Sequence, residues 1–438
     1  MNLARASFYL TITNIGMSCL TAAGFFFLAV TLSPEQLGTL SILITIPSVG
    51  QCLLSFSYSK AAIYYIGRKT FPVETVVTNG LIICVLQGVL LSLGLALAKS
   101  YLGLVFPKIS FGVITLAALS IPIQIFLFYL SEACIAAEFL AITLTTKLVS
   151  PIAYVTGCIF AGVGGILSAE LAFVFYVLGI LLSNLIGLTY LFLVSQNRRL
   201  FRLDVSAAIN CLKFGGKAQI GELSQYLAIR LDLIMVGFWA GLEAAGYYSI
   251  AARLAEAFWL AAHSIQLVFS AKVAQDFRDS LGNKGKRLGQ AVRYMILGSF
   301  LGGLGVASIS FIVFKFFLPQ YQPAFALLVA LTPGQIALAV FLVLIGNLIG
   351  DGFPMLATKL RVVFFFLSLL FYCILIPIFG AFGAALATSI AYTSSTIIAA
   401  FVLAKMYDLK LLDFLLWKQE DCDLIHSSKQ YLRRYFAM

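Results

Sequence analysis

Residues 241–250 of the chain read GLEAAGYYSI, and residues 33–42, which lie 208 positions earlier, read SPEQLGTLSI. Each stretch joins two long apolar segments, and the pair shares Glu, Gly, Ser and Ile at equivalent positions. A second pair, GVGG at 162–165 and GAFG at 380–383, recurs at an offset of 218. Because both matches keep their order, they indicate an internal duplication. The alternative is that short glycine-bearing turns between helices resemble one another by chance.

The composition indicates a membrane protein. Mean hydropathy is +1.01, 61% of the residues are hydrophobic and 11% are charged, which excludes an ordinary soluble domain. A membrane-spanning helix needs about 20 predominantly apolar residues. Twelve such runs can be read, at roughly 8–31, 37–58, 77–98, 109–130, 139–162, 168–194, 214–240, 246–269, 291–317, 325–349, 360–379 and 382–404.

We therefore predict an all-α polytopic membrane protein with about 12 transmembrane helices in two six-helix lobes. Six spans in each half let both halves enter the membrane from the same side, which is the parallel-repeat plan of transporters. The plan predicts a substrate path between the lobes and alternating access by rocking. The predicted parts are an N-terminal lobe (1–195), a cytoplasmic linker (196–213), a C-terminal lobe (214–405) and an amphipathic, basic cytoplasmic tail (406–438).

The charge distribution predicts the orientation. Most of the 29 Lys and Arg residues fall in segments that are cytoplasmic when both termini are inside. The net charge of +11 therefore reports membrane orientation, and we expect no nucleic-acid partner. The eight cysteines form no CxxC or Cys/His cluster, so neither a disulfide framework nor a metal site is predicted.

Charges within predicted spans are the main guide to a site, because a charge at mid-bilayer costs about 2.5–3.5 kcal/mol. Arg230 and Asp232 lie deep in span seven and, being two residues apart, should meet different neighbours. Arg230 suits a diphosphate or an acidic sugar, since a guanidinium matches paired oxyanions. An ion pair that holds span seven to another helix is the equal alternative.

Further polar side chains follow helical spacing. Glu222 and Tyr226 share one face of span seven with Arg230, which suits sugar hydroxyls and phosphate, although a membrane-interface helix explains Glu222 equally well. Lys147 in span five either reaches a cavity or extends to the cytoplasmic surface. Glu132 lies near a helix end, where we expect solvent.

Span eight carries Arg253, Glu256 and His263 along one helical face. Glu256 or His263 is a candidate for coupling to a proton, because burial can raise a carboxylate pKa and histidine titrates near neutrality. The alternative is an Arg253–Glu256 structural pair with a hydrogen-bonded histidine.

Lys60, Arg68 and Lys69 lie at the predicted cytoplasmic mouth. They are placed to gather a diphosphate headgroup, but the excess of positive charge on the cytoplasmic side of membrane proteins explains them without a ligand, and we prefer that explanation.

Several stretches resemble the polysaccharide flippases of the multidrug/oligosaccharidyl-lipid/polysaccharide exporter superfamily, the Wzx-type O-antigen flippases. They are LSPEQLGTLS (32–41), RLD (230–232), GLEAAGYYSIAARLAE (241–256) and GAFGAALAT (380–388). The resemblance implies two lobes in a V around a central cavity. It also implies transfer of an undecaprenyl-diphosphate-linked oligosaccharide across the bacterial inner membrane for O-antigen or capsule/exopolysaccharide assembly. Implied partners are membrane lipids and the polymerase and chain-length proteins of that pathway.

Other functional classes fit less well. No G-x-x-x-x-G-K-[ST] motif supports an ATP-driven pump, and no catalytic set supports an enzyme, so we expect no cofactor beyond a coupling H⁺ or Na⁺. The main alternative is an ion-coupled multidrug antiporter of the same superfamily, but Arg230, Arg253 and Lys147 favour an anionic substrate. Peptidoglycan-precursor flippases usually carry two more helices than this chain has room for. We expect a monomer.

Overall fold

The computed structural model describes residues 3–68, 70–105, 110–194, 203–256 and 281–416. Within these ranges the chain forms α-helices and two short 3-10 turns, and no β-strand occurs there, so the all-α prediction is confirmed. The helices are α1 (Leu3–Thr31), α2 (Pro34–Leu54), α3 (Tyr58–Gly67), α4 (Val73–Val105), α5 (Phe111–Ala136), α6 (Leu140–Val163), α7 (Ala169–Val194), α8 (Val205–Trp239), α9 (242–256), α10 (Leu281–Phe316), α11 (Pro323–Gly350) and α12 (Pro354–Met406).

Most of these helices are suited to a bilayer. Eight of those in the described ranges are long and apolar enough to cross one, namely α2, α4, α5, α6, α7, α10, α11 and α12. Large apolar side chains point outward from them; Phe160 is 81% exposed and Leu90 69%. A continuous exposed apolar surface is costly in water and favourable in hydrocarbon. The predicted multi-pass membrane protein is therefore confirmed.

Helix α12 is two predicted spans joined at a kink. Its 53 residues would extend about 80 Å as one straight helix, far more than the ~30 Å of hydrocarbon. Gly380 interrupts it with φ 60° and ψ −136°, values that only glycine adopts readily. The Tyr372 hydroxyl lies 3.3 Å from the Thr388 hydroxyl although 16 residues separate them. The chain therefore reverses at Gly380, between predicted spans eleven and twelve.

The sequence did not predict α3, which follows α2 through a sharp corner. Phe56 and Ser57 have φ values of 46° and 45°, a left-handed conformation that non-glycine residues rarely adopt. Tyr129 on α5 donates a 2.6 Å hydrogen bond to the carbonyl oxygen of Ser55. Tyr58 donates a 3.0 Å hydrogen bond to the carbonyl oxygen of Val76 on α4. These two buried phenols hold the corner against its neighbours.

The described residues divide into two compact units. The first holds α1 to α8, α9 as far as Ile250, and the segment Phe316–Gln322; the second holds the remaining residues. In the first unit, α8 packs along α2, α3 and α4. The lobes proposed from the sequence, 1–195 and 214–405, divide the chain at a different place and remain a prediction.

Two glycines from the repeated stretches meet within the first unit. A Cβ atom on Gly38 would lie 2.7 Å from the backbone nitrogen of Gly246 and closer still to the carbonyl oxygen of Leu242. A Cβ atom on Gly246 would in turn lie 2.7 Å from the carbonyl carbon of Pro34. Leu242 is the repeat equivalent of Pro34, so the contact is reciprocal. The two repeated stretches therefore contact each other through equivalent positions.

A buried polar cluster joins three helix ends in the second unit. Lys284 on α10 pairs with Asp351, which follows α11, at 2.9 Å, and the Asp351 side chain is only 3% exposed. The hydroxyl of Tyr407, just beyond α12, donates to Asp351. Asn347 donates to that hydroxyl at 2.6 Å. Each polar group in the cluster thus has a partner, as burial requires.

The start of the predicted tail folds back on α10. Arg293 donates to the carbonyl oxygen of Asp413, and a Cβ atom on Gly285 would lie 3.2 Å from the Leu409 side chain. Residues Leu411–Phe414 form a 3-10 turn in which Phe414 is buried. Exposed apolar side chains remain at Leu411, Leu412, Leu415 and Leu416. This amphipathic pattern agrees with the predicted tail, of which residues beyond 416 lie outside the described ranges.

Candidate functional site

Helix α8 is the scaffold of the candidate site. Its N-terminus is capped by Asp204, whose side chain accepts a 3.0 Å hydrogen bond from the backbone of Ala207. The helix then runs unbroken to Trp239, so Glu222, Tyr226 and Arg230 keep the predicted four-residue spacing along one face. The three side chains are half-buried and extend over about 12 Å of helix.

The corner between α2 and α3 is fastened to α8. The side chain of Gln219 accepts a 2.6 Å hydrogen bond from Ser57 and donates another to the carbonyl oxygen of Cys52. One turn earlier, Gly215 lets the corner approach, because a Cβ atom there would lie 2.7 Å from the Ser57 carbonyl oxygen. Gly215, Gln219 and Glu222 share a face of α8, so the same face that holds the corner carries the carboxylate.

Lys60 and Glu222 form an ion pair across α3 and α8. The Lys60 Nζ lies 2.7 Å from the Glu222 Oε1, and the two side chains are 46% and 41% exposed. The structure therefore joins a residue predicted at the cytoplasmic mouth to one predicted in the cavity. Both remain accessible while paired.

Two further charged residues lie on α5 and α6. Glu132 on α5 is half-buried and interacts electrostatically with Lys147 on α6 and, less strongly, with Lys60. We call Lys60, Glu132, Lys147 and Glu222 the four-charge cluster; it takes one residue from each of four helices, two basic and two acidic. From the sequence, Glu132 was expected to face solvent because it lies near a helix end. Its two cationic neighbours belong to other helices and are seen only in the folded chain.

The face of α3 beyond Lys60 is aromatic and basic. The Arg68 guanidinium lies 4.4 Å from the centre of the Tyr64 ring, and that ring stacks on Phe214 of α8 at 4.6 Å. Lys60, Tyr64 and Arg68 follow one another at four-residue spacing. Arg68 is exposed, so its charge stays available. Lys69 lies outside the described residues.

Asp232 is buried and satisfied within the first unit. Its carboxylate accepts a 2.5 Å hydrogen bond from the Tyr248 hydroxyl of α9 and a 2.7 Å bond from the backbone of Leu233. It therefore joins α8 to α9, while Arg230, two residues earlier, is half-buried on another face. Tyr248 lies in the repeated stretch 241–250, but its pairing with Asp232 could not be predicted because the two residues belong to different helices.

The residues predicted on span eight belong to the second unit. Arg253 is exposed and Glu256 is half-buried, both near the end of the described part of α9. His263 lies outside the described residues, so a coupling role for Glu256 or His263 remains a prediction. Within the described ranges, no group of three His, Cys, Asp or Glu residues could hold a metal ion.

A family model described as "Polysaccharide biosynthesis protein" matches residues 27–279, more than half of the chain. The chain belongs to this family. The matched region contains both copies of the repeated stretch and all of α8, so the resemblance predicted from the sequence is confirmed. No curated protein matches the sequence significantly.

Solved structures with the same fold are transporters. A lipid II flippase MurJ in an inward closed conformation has a TM-score of 0.72 and 16% identity, over 92% of this chain and 88% of that one. An inward-facing MATE-family multidrug transporter has a TM-score of 0.62 and 17% identity, over 92% and 98%. A superfamily transporter from Pyrococcus furiosus, described as having a binding pocket of reverse polarity, has a TM-score of 0.54 and 16% identity, over 92% of this chain and 93% of that one.

Family and fold together define the broad class. This member of the polysaccharide biosynthesis family has the transporter fold of the multidrug/oligosaccharidyl-lipid/polysaccharide exporter superfamily. The prediction that the chain is not an enzyme is confirmed by these relationships. A proposal for the sites and for the substrate depends on the geometry of the polar residues.

Proposed function

We propose that the protein is a flippase that moves a diphosphate-linked oligosaccharide lipid across the bacterial inner membrane by alternating access. The polar face of α8 carries this proposal. Glu222 and Tyr226 offer hydrogen-bonding groups to sugar hydroxyls, and Arg230 offers a guanidinium to a diphosphate. A neutral drug pocket would not need this combination.

The finer parts of the proposal rest on the family resemblance for the substrate and on the distribution of Lys and Arg for the orientation. The carrier lipid is undecaprenyl diphosphate, the glycan is an O-antigen or capsule/exopolysaccharide repeat unit, and both termini are cytoplasmic. Arg253 and Lys147 add positive charge along the path, while Asp232 holds α8 to α9 through Tyr248. Glu256 and His263 are the proposed coupling residues, and the polymerase and chain-length proteins are the proposed partners.

The rival function is an ion-coupled multidrug antiporter. The fold of the MATE-family transporter supports it, as does the pair of carboxylates Glu132 and Glu222. Each of these carboxylates already lies near a lysine, however, which leaves little net negative charge for a cationic drug. A peptidoglycan-precursor flippase shares the fold as well, and the test below separates it by the glycan restored.

Complementation of a flippase-null strain that contains the matching glycan pathway tests the proposal. Wild type should restore surface glycan, and Arg230→Ala and Arg230→Lys should reduce it about tenfold or more at equal membrane levels. Loss of a charged, bidentate hydrogen bond costs about 1.5–3 kcal/mol, which corresponds to at least that factor. Lys359→Ala, an exposed lysine on α12, is the control and should restore glycan fully.

Two results would contradict the proposal. Failure of wild type to restore glycan, together with efflux of cationic dyes, would assign the protein to the antiporters. Full activity of a well-expressed Arg230→Ala variant would remove Arg230 from the substrate path.

A further inference from the structure

We propose that Lys60 belongs to a phosphate-binding site and that Glu222 pairs with it while no ligand is bound. An incoming phosphate-bearing headgroup then displaces Glu222 from Lys60. The inference rests on the proposed function and deepens it, because it places initial capture of the headgroup at the α3–α8 junction. The four-charge cluster supplies the groups that take part.

The Lys60–Glu222 pair is exposed to solvent. Both side chains are more than 40% exposed, and exposed ion pairs contribute little to folding because water and salt screen them. A lysine ammonium carries three donors, and one carboxylate oxygen at 2.7 Å occupies only one of them. Lys60 can therefore accept a second oxyanion before Glu222 leaves, which makes exchange easy.

A strained stretch of backbone positions Lys60. Two consecutive left-handed residues, Phe56 and Ser57, cost about 1–2 kcal/mol each, and an ordinary helix end would avoid that cost. The strained corner turns α3 so that Lys60 faces α8. Gln219 holds the corner in place through its hydrogen bonds with Ser57 and Cys52. Strain that the surroundings maintain in this way is typical of functional sites.

The α3–α8 junction pairs a basic residue with an acidic one. A general excess of positive charge on one side of the membrane explains Lys60, but it does not explain a carboxylate placed against it on α8. Glu222 keeps Lys60 neutralised while the site is open, which disfavours weakly bound anions. A diphosphate carries more charge than one carboxylate and offers more acceptor oxygens, so it competes successfully where a single weak anion does not.

The remaining members of the cluster limit the consequences of exchange. Once a headgroup occupies Lys60, Glu222 separates from that lysine but stays partly exposed to solvent. Glu132 keeps Lys147, the stronger of its two electrostatic neighbours. The exchange therefore leaves no unpaired charge in a closed interior, and the high cost of burying such a charge is avoided.

Binding of radiolabelled inorganic pyrophosphate and of farnesyl diphosphate to the full-length protein, in nanodiscs of phosphatidylcholine, tests the inference. Glu222→Gln should tighten binding about two- to fivefold, the factor that an exposed ion pair contributes. Lys60→Ala should weaken it about tenfold. In the Lys60→Ala background, Glu222→Gln should tighten binding by less than it does in the wild-type background, because no lysine remains to be released.

Controls separate exchange from a structural effect. Lys359→Ala should leave the dissociation constant unchanged, and the melting temperature of Glu222→Gln should stay close to that of wild type. A second arm replaces part of the phosphatidylcholine with phosphatidylglycerol. Retained diphosphate binding identifies the lipid-linked substrate as the source of the phosphate, whereas equal competition by phosphatidylglycerol identifies an ordinary phospholipid headgroup.

The outcomes distinguish this inference from the proposed function. Weaker or unchanged binding in Glu222→Gln, with glycan restored by wild type, would overturn the exchange and leave the flippase intact. Absence of diphosphate binding in wild type, together with efflux of cationic dyes, would overturn both.

Discussion

Replacing Gly38 with alanine is expected to destabilise the protein by about 3 kcal/mol or more, at the upper end of what overpacking usually costs. The added methyl group would overlap the backbone of α9 at Leu242 and Gly246. Backbone cannot move aside as a flexible side chain does, so α2 and α9 would have to separate. Gly246→Ala should have a similar effect, because its Cβ would meet the backbone of Pro34 in the equivalent way.

The melting temperature of purified variants in detergent, with membrane levels alongside, measures this effect. Gly298→Ala is the matched control: this glycine lies inside α10 with no atom within 4 Å of an added Cβ. It should leave stability unchanged or raise it by up to ~1 kcal/mol, because alanine favours a helix over glycine. Wild-type melting of both Gly38→Ala and Gly246→Ala would show that the two repeats do not pack through this contact.

Much of the fold was predictable from local sequence. Apolar runs of sufficient length identified the spanning helices, since the bilayer fixes both composition and length. The repeated stretches predict a duplication, and the close approaches at Gly38 and Gly246 explain why glycine occurs at both positions. The reciprocal approach of two backbones leaves no room for a side chain at either position.

The sequence could not predict α3, because the left-handed conformation of Phe56 and Ser57 is imposed by tertiary contacts. The buried phenol of Tyr129 and the amide of Gln219 hold this corner, and they lie 74 and 162 residues away from the groups they bind. Contacts over such separations leave no local pattern.

For the same reason, only part of the candidate site could be predicted. Spacing along α8 correctly placed Glu222, Tyr226 and Arg230 on one face. It could not show that Glu222 pairs with Lys60, or that Glu132 lies near Lys147, because these residues belong to different helices. Charges in spans were therefore identifiable, whereas their partners required the folded chain.

Replacing Asp351 with alanine is expected to destabilise the second unit by about 3–5 kcal/mol, the usual cost of breaking a buried ion pair. The change leaves the Lys284 ammonium, whose side chain is 14% exposed, without this carboxylate. It also removes the acceptor of the Tyr407 hydroxyl. Burial, and then the neighbouring Asp351, raise the pKa of Tyr407, so this phenol stays protonated and needs an acceptor at neutral pH.

A double-mutant cycle measured by thermal unfolding in detergent tests this expectation. Asp351→Ala combined with Lys284→Met should recover most of the lost stability, because an apolar pair removes the isolated charge. Lys405→Ala, an exposed lysine on α12, is the control and should change stability by less than about 0.5 kcal/mol. A double variant no more stable than Asp351→Ala alone would mean that Lys284 is stabilised chiefly by other contacts. Recovery of both stability and transport would instead show that the buried pair only joins helix ends, and that the ionic steps of transport occur elsewhere.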